Sequence, residues 1–249
     1  MVNRNRISEI IEQKRDLFIQ VSDRIWEYAE TNFEEFQSAA LLCETLEQEG
    51  FTVQKGVGGM DTAFIASFGS GGPVVAILGE YDALSGLSQH REVSEQQPIQ
   101  KGGNGHGCGH NLLGSGSLAA AVALRYYMEE NGIPGTVRYY GCPAEELGDG
   151  KTFMAREGLF DDIDFALSWH PSDINGIWSQ SCTAVYTVNY KFKGRTSHAA
   201  GAPHLGRSAL DAVELMNVGV NYLREHIIPE ARVHYAVTNT GGYAPNVVQ

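Results

Sequence analysis

Apolar residues recur at helical spacing near the start of the chain. Ile7, Ile10, Ile11, Leu17, Phe18, Val21, Ile25 and Trp26 predict a helix over 6–29. The stretch ETNFEEF breaks it. A second amphipathic run, about 36–49, sets Ala39, Leu42, Cys43 and Leu46 on one face and stops at Gly50. Three extended segments follow: FTVQKGV, TAFIASFG and PVVAILGEYDAL. The GSGG at 69–72 predicts a hairpin turn joining the last two. Val74–Leu78 is apolar without interruption, the pattern of a buried central strand.

Residues 83–105 show no period and are rich in Gln, Ser, Gly and Glu. So long a stretch inside a compact domain is usually functional or disordered, and this one leads straight into NGHGCGHN at 104–111. A helix over 111–131 follows, closed by Asn131-Gly132. TVRYYGC predicts a strand ending at Pro143, and AEELGDGKTFMAREGLF a loop and short helix. DIDFALSWHP predicts a strand ending at His170-Pro171. This alternation implies an α/β sheet with helices on its faces.

From about Thr183 the texture changes. AVYTVNYKFKG alternates like a strand with one exposed face. Leu205–Arg224 is amphipathic, with Leu210, Val213 and Met216 among its apolar positions, and ARVHYAVTN predicts another strand. We therefore expect a first domain over 1–182 and a smaller α+β domain over 183–249. The strand-like NVVQ at the end leaves that second domain with an open edge, so the chain reads as stopping in mid-fold.

Composition narrows the function classes. The 249 residues are 43% hydrophobic, enough for one large core or two smaller ones. A net charge of −12 and a pI near 5.1 argue against nucleic acid and against a basic membrane-surface protein. No apolar run approaches the roughly 20 residues of a membrane span. The opening MVNRNRISEIIEQKRDLF lacks the apolar core of a signal peptide, so a cytoplasmic chain is expected. Cys43, Cys108, Cys142 and Cys182 are widely spread, which favours free thiols and one ligand over a disulfide framework.

The candidate chemistry centres on NGHGCGHN. Cys108 and His110 sit two apart on a Gly-rich loop that feeds a helix, with His106 just upstream. Thiolate with imidazole suits zinc and other late divalent metals. The competing reading is a Gly-rich loop with incidental polar residues. Glu145 and Glu146 follow a strand and a proline, either as a surface pair or as one ligand and one general base towards water that a metal acidifies. His170 ends an apolar strand, as a ligand or as a core histidine bonded to a carbonyl. Asp82 ends another, as a turn residue or as a carboxylate that orients a ligand. His198 lies in GRTSHAAGAPHLG, where it serves a site or caps the next helix.

The order CGH … PAEE … WHP … SHAAGAPHLG resembles the aminoacylase and hippurate-hydrolase branch of the co-catalytic metallopeptidases. These are di-metal amidohydrolases of N-acyl amino acids and short peptides. The resemblance covers nearly the whole chain. It implies a mixed-sheet α/β catalytic domain and a smaller α+β lid or dimerisation domain, both incomplete. It implies two divalent ions, Mn or Zn, held by Cys108, His110, Glu146 and His170, with the Cys108 thiolate bridging them. Glu145 would be the general base and acid, and Asp82 the catalytic-site aspartate. His198 would reach across a dimer to the tetrahedral oxyanion, and Asn246 would contact substrate. The implied reaction is amide hydrolysis in an N-acyl or N-aryl amino acid such as aminobenzoyl-glutamate. The implied assembly is a homodimer, or a hetero-oligomer with a related A-type subunit.

Two departures from the family pattern stand out. Such enzymes continue past Gln249 and there supply a last histidine ligand and a lid arginine. Glu80 also stands where relatives outside this branch carry a histidine ligand. The alternative expectation is therefore a catalytically incomplete fragment or a non-catalytic binding subunit. A closed structural zinc site fits less well, because it wants cysteines and histidines alone.

Overall fold

The computed structural model describes residues 4–179, 181, 183–242, 244, 247 and 248. The chain forms two compact units, Met1–Gly176 and Ile177–Gln249.

Unit one begins with helices α1 (Arg4–Gln13) and α2 (Arg15–Tyr28), not the single helix that the apolar period predicts. Lys14 leaves the helical region at φ −110°, ψ 13°, and its ammonium reaches Glu49 Oε1 at 2.8 Å. The apolar period runs through the break because both helices pack on the same long helix, α4 (His110–Asn131). Helix α3 (Phe36–Gln48) buries Ala39, Leu42, Cys43 and Leu46, the face its spacing predicts.

The sheet contains β1 (Thr52–Lys55), β2 (Phe64–Ser70), β3 (Val74–Gly79), β4 (Gly135–Gly141) and β5 (Phe165–Leu167). Its order is β1-β2-β4-β3-β5. Strands β4, β3 and β5 run parallel, while β2 is antiparallel to β4 and β1 to β2, so the sheet is mixed.

The hairpin expected at GSGG does not form, because β4 lies between β2 and β3. The glycines serve a wider reversal around the start of β4. Thr136 N donates to Pro73 O at 2.9 Å and Thr136 Oγ1 to Gly71 O at 2.8 Å. A Cβ on Gly69 would stand 2.2 Å from Gly135 O, so this approach of two backbones requires glycine.

Strand alternation divides two cores. Phe64, Ala66, Ile77, Val137 and Tyr139 pack under α2, α3 and α4 with Phe18, Ile25, Leu42 and Leu118. Ile65, Ala76 and Tyr140 face the other side, against Val57, Met60 and Met154 of helix α5 (Gly150–Arg156). Helix α4 lies close on the sheet because its inner face is small: Ser117 Oγ donates to Leu78 O at 2.7 Å, and Tyr139 Oη donates to Gly114 O at 3.1 Å. It closes at Gly132 (φ 59°), whose N–H returns to the last turn, as Asn-Gly predicts.

Unit two has strands β6 (Ser197–His198) and β7 (Val247–Val248), antiparallel, and helix α6 (Ala209–Leu223). Ser208 Oγ caps α6 by accepting from Asp211 N at 3.0 Å. The strands expected over AVYTVNYKFKG and ARVHYAVTN do not form. No strand among the described residues pairs with them, although Arg224 Nε donates to Val233 O at 3.2 Å, and Val185, Tyr186 and Tyr190 stay exposed. No helix of the described residues is long and apolar enough to cross a membrane.

Candidate metal centre

Three parallel strands end at one edge of the sheet, and the start of α4 arrives at the same edge. Ligands bind at such an edge in open α/β sheets. Beyond β3 come Glu80, Tyr81 and Asp82; beyond β4 come Glu145 and Glu146; beyond β5 comes His170. Residues 83–105 leave the edge and return to it. Leu84 and Gly105 exchange both backbone hydrogen bonds at 3.0 Å, so the loop closes at its base and delivers Cys108 and His110.

His110 is fully buried at the first turn of α4. Its Nδ1 lies 2.8 Å from Asp82 Oδ1, and the carboxylate holds that nitrogen as the N–H donor. Its Nε2 faces Glu80 Oε2 at 3.1 Å, Glu145 Oε2 at 3.9 Å and Glu146 Oε1 at 4.0 Å. His170 repeats the arrangement: Nδ1 lies 2.8 Å from the Pro171 carbonyl, and Nε2 lies 3.1 Å from Cys108 Sγ. Both rings thus turn Nε2 towards one space.

The electrostatics follow from burial and crowding. Burial works against the His110 imidazolium, but its bond to Asp82 and the charges of Asp82, Glu80 and Glu146 raise its pKa. Burial and then Glu146 push the Cys108 thiol up to about 12. Burial and then Glu80 raise Glu145, against Lys151 and His110. Lys151, in the first turn of α5, donates to Glu80 Oε1 at 2.6 Å and offsets part of the acidic charge.

These residues fit a divalent metal. The ligand atoms of Cys108, His110 and His170 lie within 4.8 Å of one another, and so do those of Glu80, His110 and Glu145. His110 Nε2 and Glu146 Oε1 are buried without a hydrogen-bond partner among the described residues. A thiol, two imidazoles and carboxylates form the mixed donor set that late divalent metals take.

Not every expected residue joins this cluster. Glu146 does border it, with Oε1 4.0 Å from His110 Nε2 and its N–H given to Asp82 Oδ2 at 2.9 Å, while Glu145 and Glu80 make the tighter group with His110. His106 turns away: it is buried beside Trp26, with Nε2 3.0 Å from Ile25 O. His198 lies in β6 of unit two, where Nδ1 accepts from Ala200 N at 3.2 Å and Gly201 N at 3.0 Å. Its other nitrogen therefore carries the hydrogen. Asn246 lies outside the described residues.

Two residues have no cue in their local sequence. Lys151 approaches Glu80 from α5. Glu35 is fully buried and accepts from Phe33 N and Ala144 N, both at 3.0 Å, and from Thr62 Oγ1 at 3.1 Å.

A thiol, two imidazoles and several carboxylates at the carboxyl edge of a mixed α/β sheet define a metallopeptidase-like chain. Residues 76–247 match the model of peptidase family M20/M25/M40, and the chain belongs to that family. It is 56% identical over 243 residues to the B-type subunit of the p-aminobenzoyl-glutamate hydrolase of Escherichia coli, an alignment covering 98% of this chain and 50% of that one. It is 33% identical over 258 residues to the Xaa-Arg dipeptidase of Mus musculus, covering 98% of this chain and 55% of that one. Among solved structures, the aminobenzoyl-glutamate utilization protein of Klebsiella pneumoniae shares the fold at a TM-score of 0.59 and 18% identity, over 97% of this chain and 66% of that one. The chain spans about half the length of the curated relatives it matches.

Proposed function

We propose that the protein is a metal-dependent amidohydrolase that releases the amino acid from an N-acyl or N-aryl amino acid, with p-aminobenzoyl-glutamate the first substrate to test. The observation that carries this reading is the paired orientation of His110 and His170. Each is tied at Nδ1; His170 presents Nε2 to Cys108, and His110 presents Nε2 to the Glu80, Glu145 and Glu146 carboxylates. The likeness to one chain of a hydrolase named for that substrate supports it.

In this reading Cys108, His110, Glu146 and His170 hold two divalent ions, Mn or Zn. When bound, such ions acidify water and polarise an amide carbonyl. Asp82 fixes His110 through one oxygen and the Glu146 backbone through the other. Glu145 takes the proton from water and returns it to the leaving amine. Its raised pKa moves it towards neutrality, where one group does both tasks. The second unit is part of a lid or dimerisation domain. There His198, whose Nδ1 accepts two backbone N–H groups, keeps Nε2–H for an oxyanion, and Asn246 contacts substrate. The relative's designation as one chain of a multi-chain hydrolase supports assembly with a second copy or a related chain.

The test uses the full-length protein, with metal content by elemental analysis and hydrolysis of p-aminobenzoyl-glutamate. Glu145→Gln is expected to lower kcat by about 10²–10⁴-fold with metal retained. Cys108→Ala is expected to lose metal. Metal content unchanged in Cys108→Ala, or Glu145→Gln within a few-fold of wild type, refutes the reading.

A further inference from the structure

Glu35 is a fully buried carboxylate that the hydrolytic scheme leaves without a task. Its position at the start of α3 suggests a helix cap, but Glu30 does that work. Glu30 accepts from Gln37 N at 3.0 Å, Ser38 N at 2.9 Å and Ser38 Oγ at 2.9 Å. The Glu35 side chain points instead across the molecule, to the backbone N–H of Ala144.

That amide lies in a demanding place. Pro143 before it has no N–H, and Ala144 itself sits at φ 54°, a left-handed conformation that alanine rarely adopts. Gly148 N and Asp149 N both return to Ala144 O, so this residue is the pivot of the turn. Glu145 follows it directly. The next backbone N–H, that of Glu146, goes to Asp82. Glu145 is therefore held between two amides, each gripped by a buried carboxylate from another part of the chain. Phe33 strengthens the same contact, edge-on to Phe153 and against Gly148, where a Cβ would meet its ring at 2.4 Å.

We propose that Glu35 is a positioning residue for Glu145: its carboxylate holds Ala144 in the left-handed conformation and so fixes the direction in which Glu145 projects. The consequence for turnover rests on the reading of Glu145 as the proton-transferring group. The structural half stands apart from it.

The test compares Glu35→Ala, Glu35→Asp and Glu35→Gln in the full-length chain. Gln keeps the geometry: its amide oxygen accepts both N–H groups and its NH₂ donates to Thr62 Oγ1. Asp keeps the charge but is one methylene short. The first readout is amide hydrogen exchange at Ala144 in the metal-free protein. Protection should fall by about 10-fold or more in the Ala and Asp variants and persist in Gln. The second readout is kcat and KM of the metal-loaded protein on p-aminobenzoyl-glutamate. Glu35→Ala should lower kcat by about 10²-fold with KM little changed, Asp should fall between, and Gln should stay within about 3-fold of wild type.

Unchanged Ala144 exchange in the Ala and Asp variants overturns the proposal. So does a Gln variant as slow as Ala, or an effect confined to KM. If Glu35→Ala does not fold, the Asp and Gln pair decides by the same criteria. If Glu145→Gln turns over like wild type, the role of Glu145 fails, and the Ala144 exchange still decides whether Glu35 holds the loop.

Discussion

Gly114 sets two physical effects against each other, and the structure decides which wins. It lies on the inner face of α4, one turn after His110. Replacing an interior helical glycine by alanine ordinarily stabilises by up to about 1 kcal/mol, through backbone entropy and helix propensity. Here the added Cβ would stand 2.6 Å from Glu80 O, against ordinary contacts that begin at 3.4 Å. That oxygen is backbone and cannot swing aside, so α4 must lift from the end of β3. Overpacking of this kind costs about 1–3 kcal/mol. Lifting also strains the Ser117–Leu78 and Tyr139–Gly114 hydrogen bonds, each worth about 1 kcal/mol. Gly114→Ala is therefore expected to destabilise by about 1–3 kcal/mol net, read as a lower urea midpoint of the metal-free chain. Metal affinity should fall with it, because His110 and its partner Asp82 ride on the two elements being separated. Gly219→Ala in α6 is the control: its Cβ meets nothing within 4 Å, so that change should be neutral or slightly stabilising. A Gly114→Ala protein as stable as wild type, with full metal affinity, refutes the argument that the glycine is there for close approach.

Leu118 is fully buried between α4 and the sheet, so Leu118→Ala should cost about 2–5 kcal/mol in chemical denaturation; a loss below about 1 kcal/mol would mean that the site collapses around the gap. His106 gives a pH dependence. Burial lowers its pKa from 6.5 to about 4, so the folded state resists a proton that the unfolded state accepts. The stability this group contributes is fully present above pH 6.5 and is lost as pH falls towards 4. The interval corresponds to about 3 kcal/mol. His106→Gln should flatten that part of the stability profile relative to wild type between about pH 7 and 4, and parallel profiles would refute it.

Much of unit one is legible because its elements bury one face each. The spacing of Ala39, Leu42, Cys43 and Leu46 gives α3 and its buried side directly, and the Asn131-Gly132 stop marks the end of α4. Turn chemistry is less informative about partners. GSGG announces a reversal, but a strand that begins only at Gly135 inserts between the two strands it joins, and nothing local to the turn records that insertion. The break at Lys14 is hidden for a related reason: two helices packed on the same neighbour preserve one apolar period. In unit two the alternation of AVYTVNYKFKG shows a capacity for pairing, and pairing needs a neighbour that the described residues do not supply.

The cluster at the sheet edge divides along the same line. Cys108 and His110 are readable together because two residues on a glycine-rich turn must lie near each other. His170 and the Glu145–Glu146 pair are readable because they follow apolar strands whose ends gather at one edge. The groups behind them are another matter. Glu35 reaches Ala144 across 109 positions, and Lys151 reaches Glu80 across 71. Each is one more charged residue in its own neighbourhood, and only the fold turns it inward. Candidate donors announce themselves through short spacing and strand ends, whereas the buried charges packed behind them are chosen by tertiary contact alone. Glu35 makes the point physically: a carboxylate buried without exposure is tolerated only where it satisfies backbone amides that nothing nearer can reach, so its burial marks the Ala144 turn as a place where direction matters.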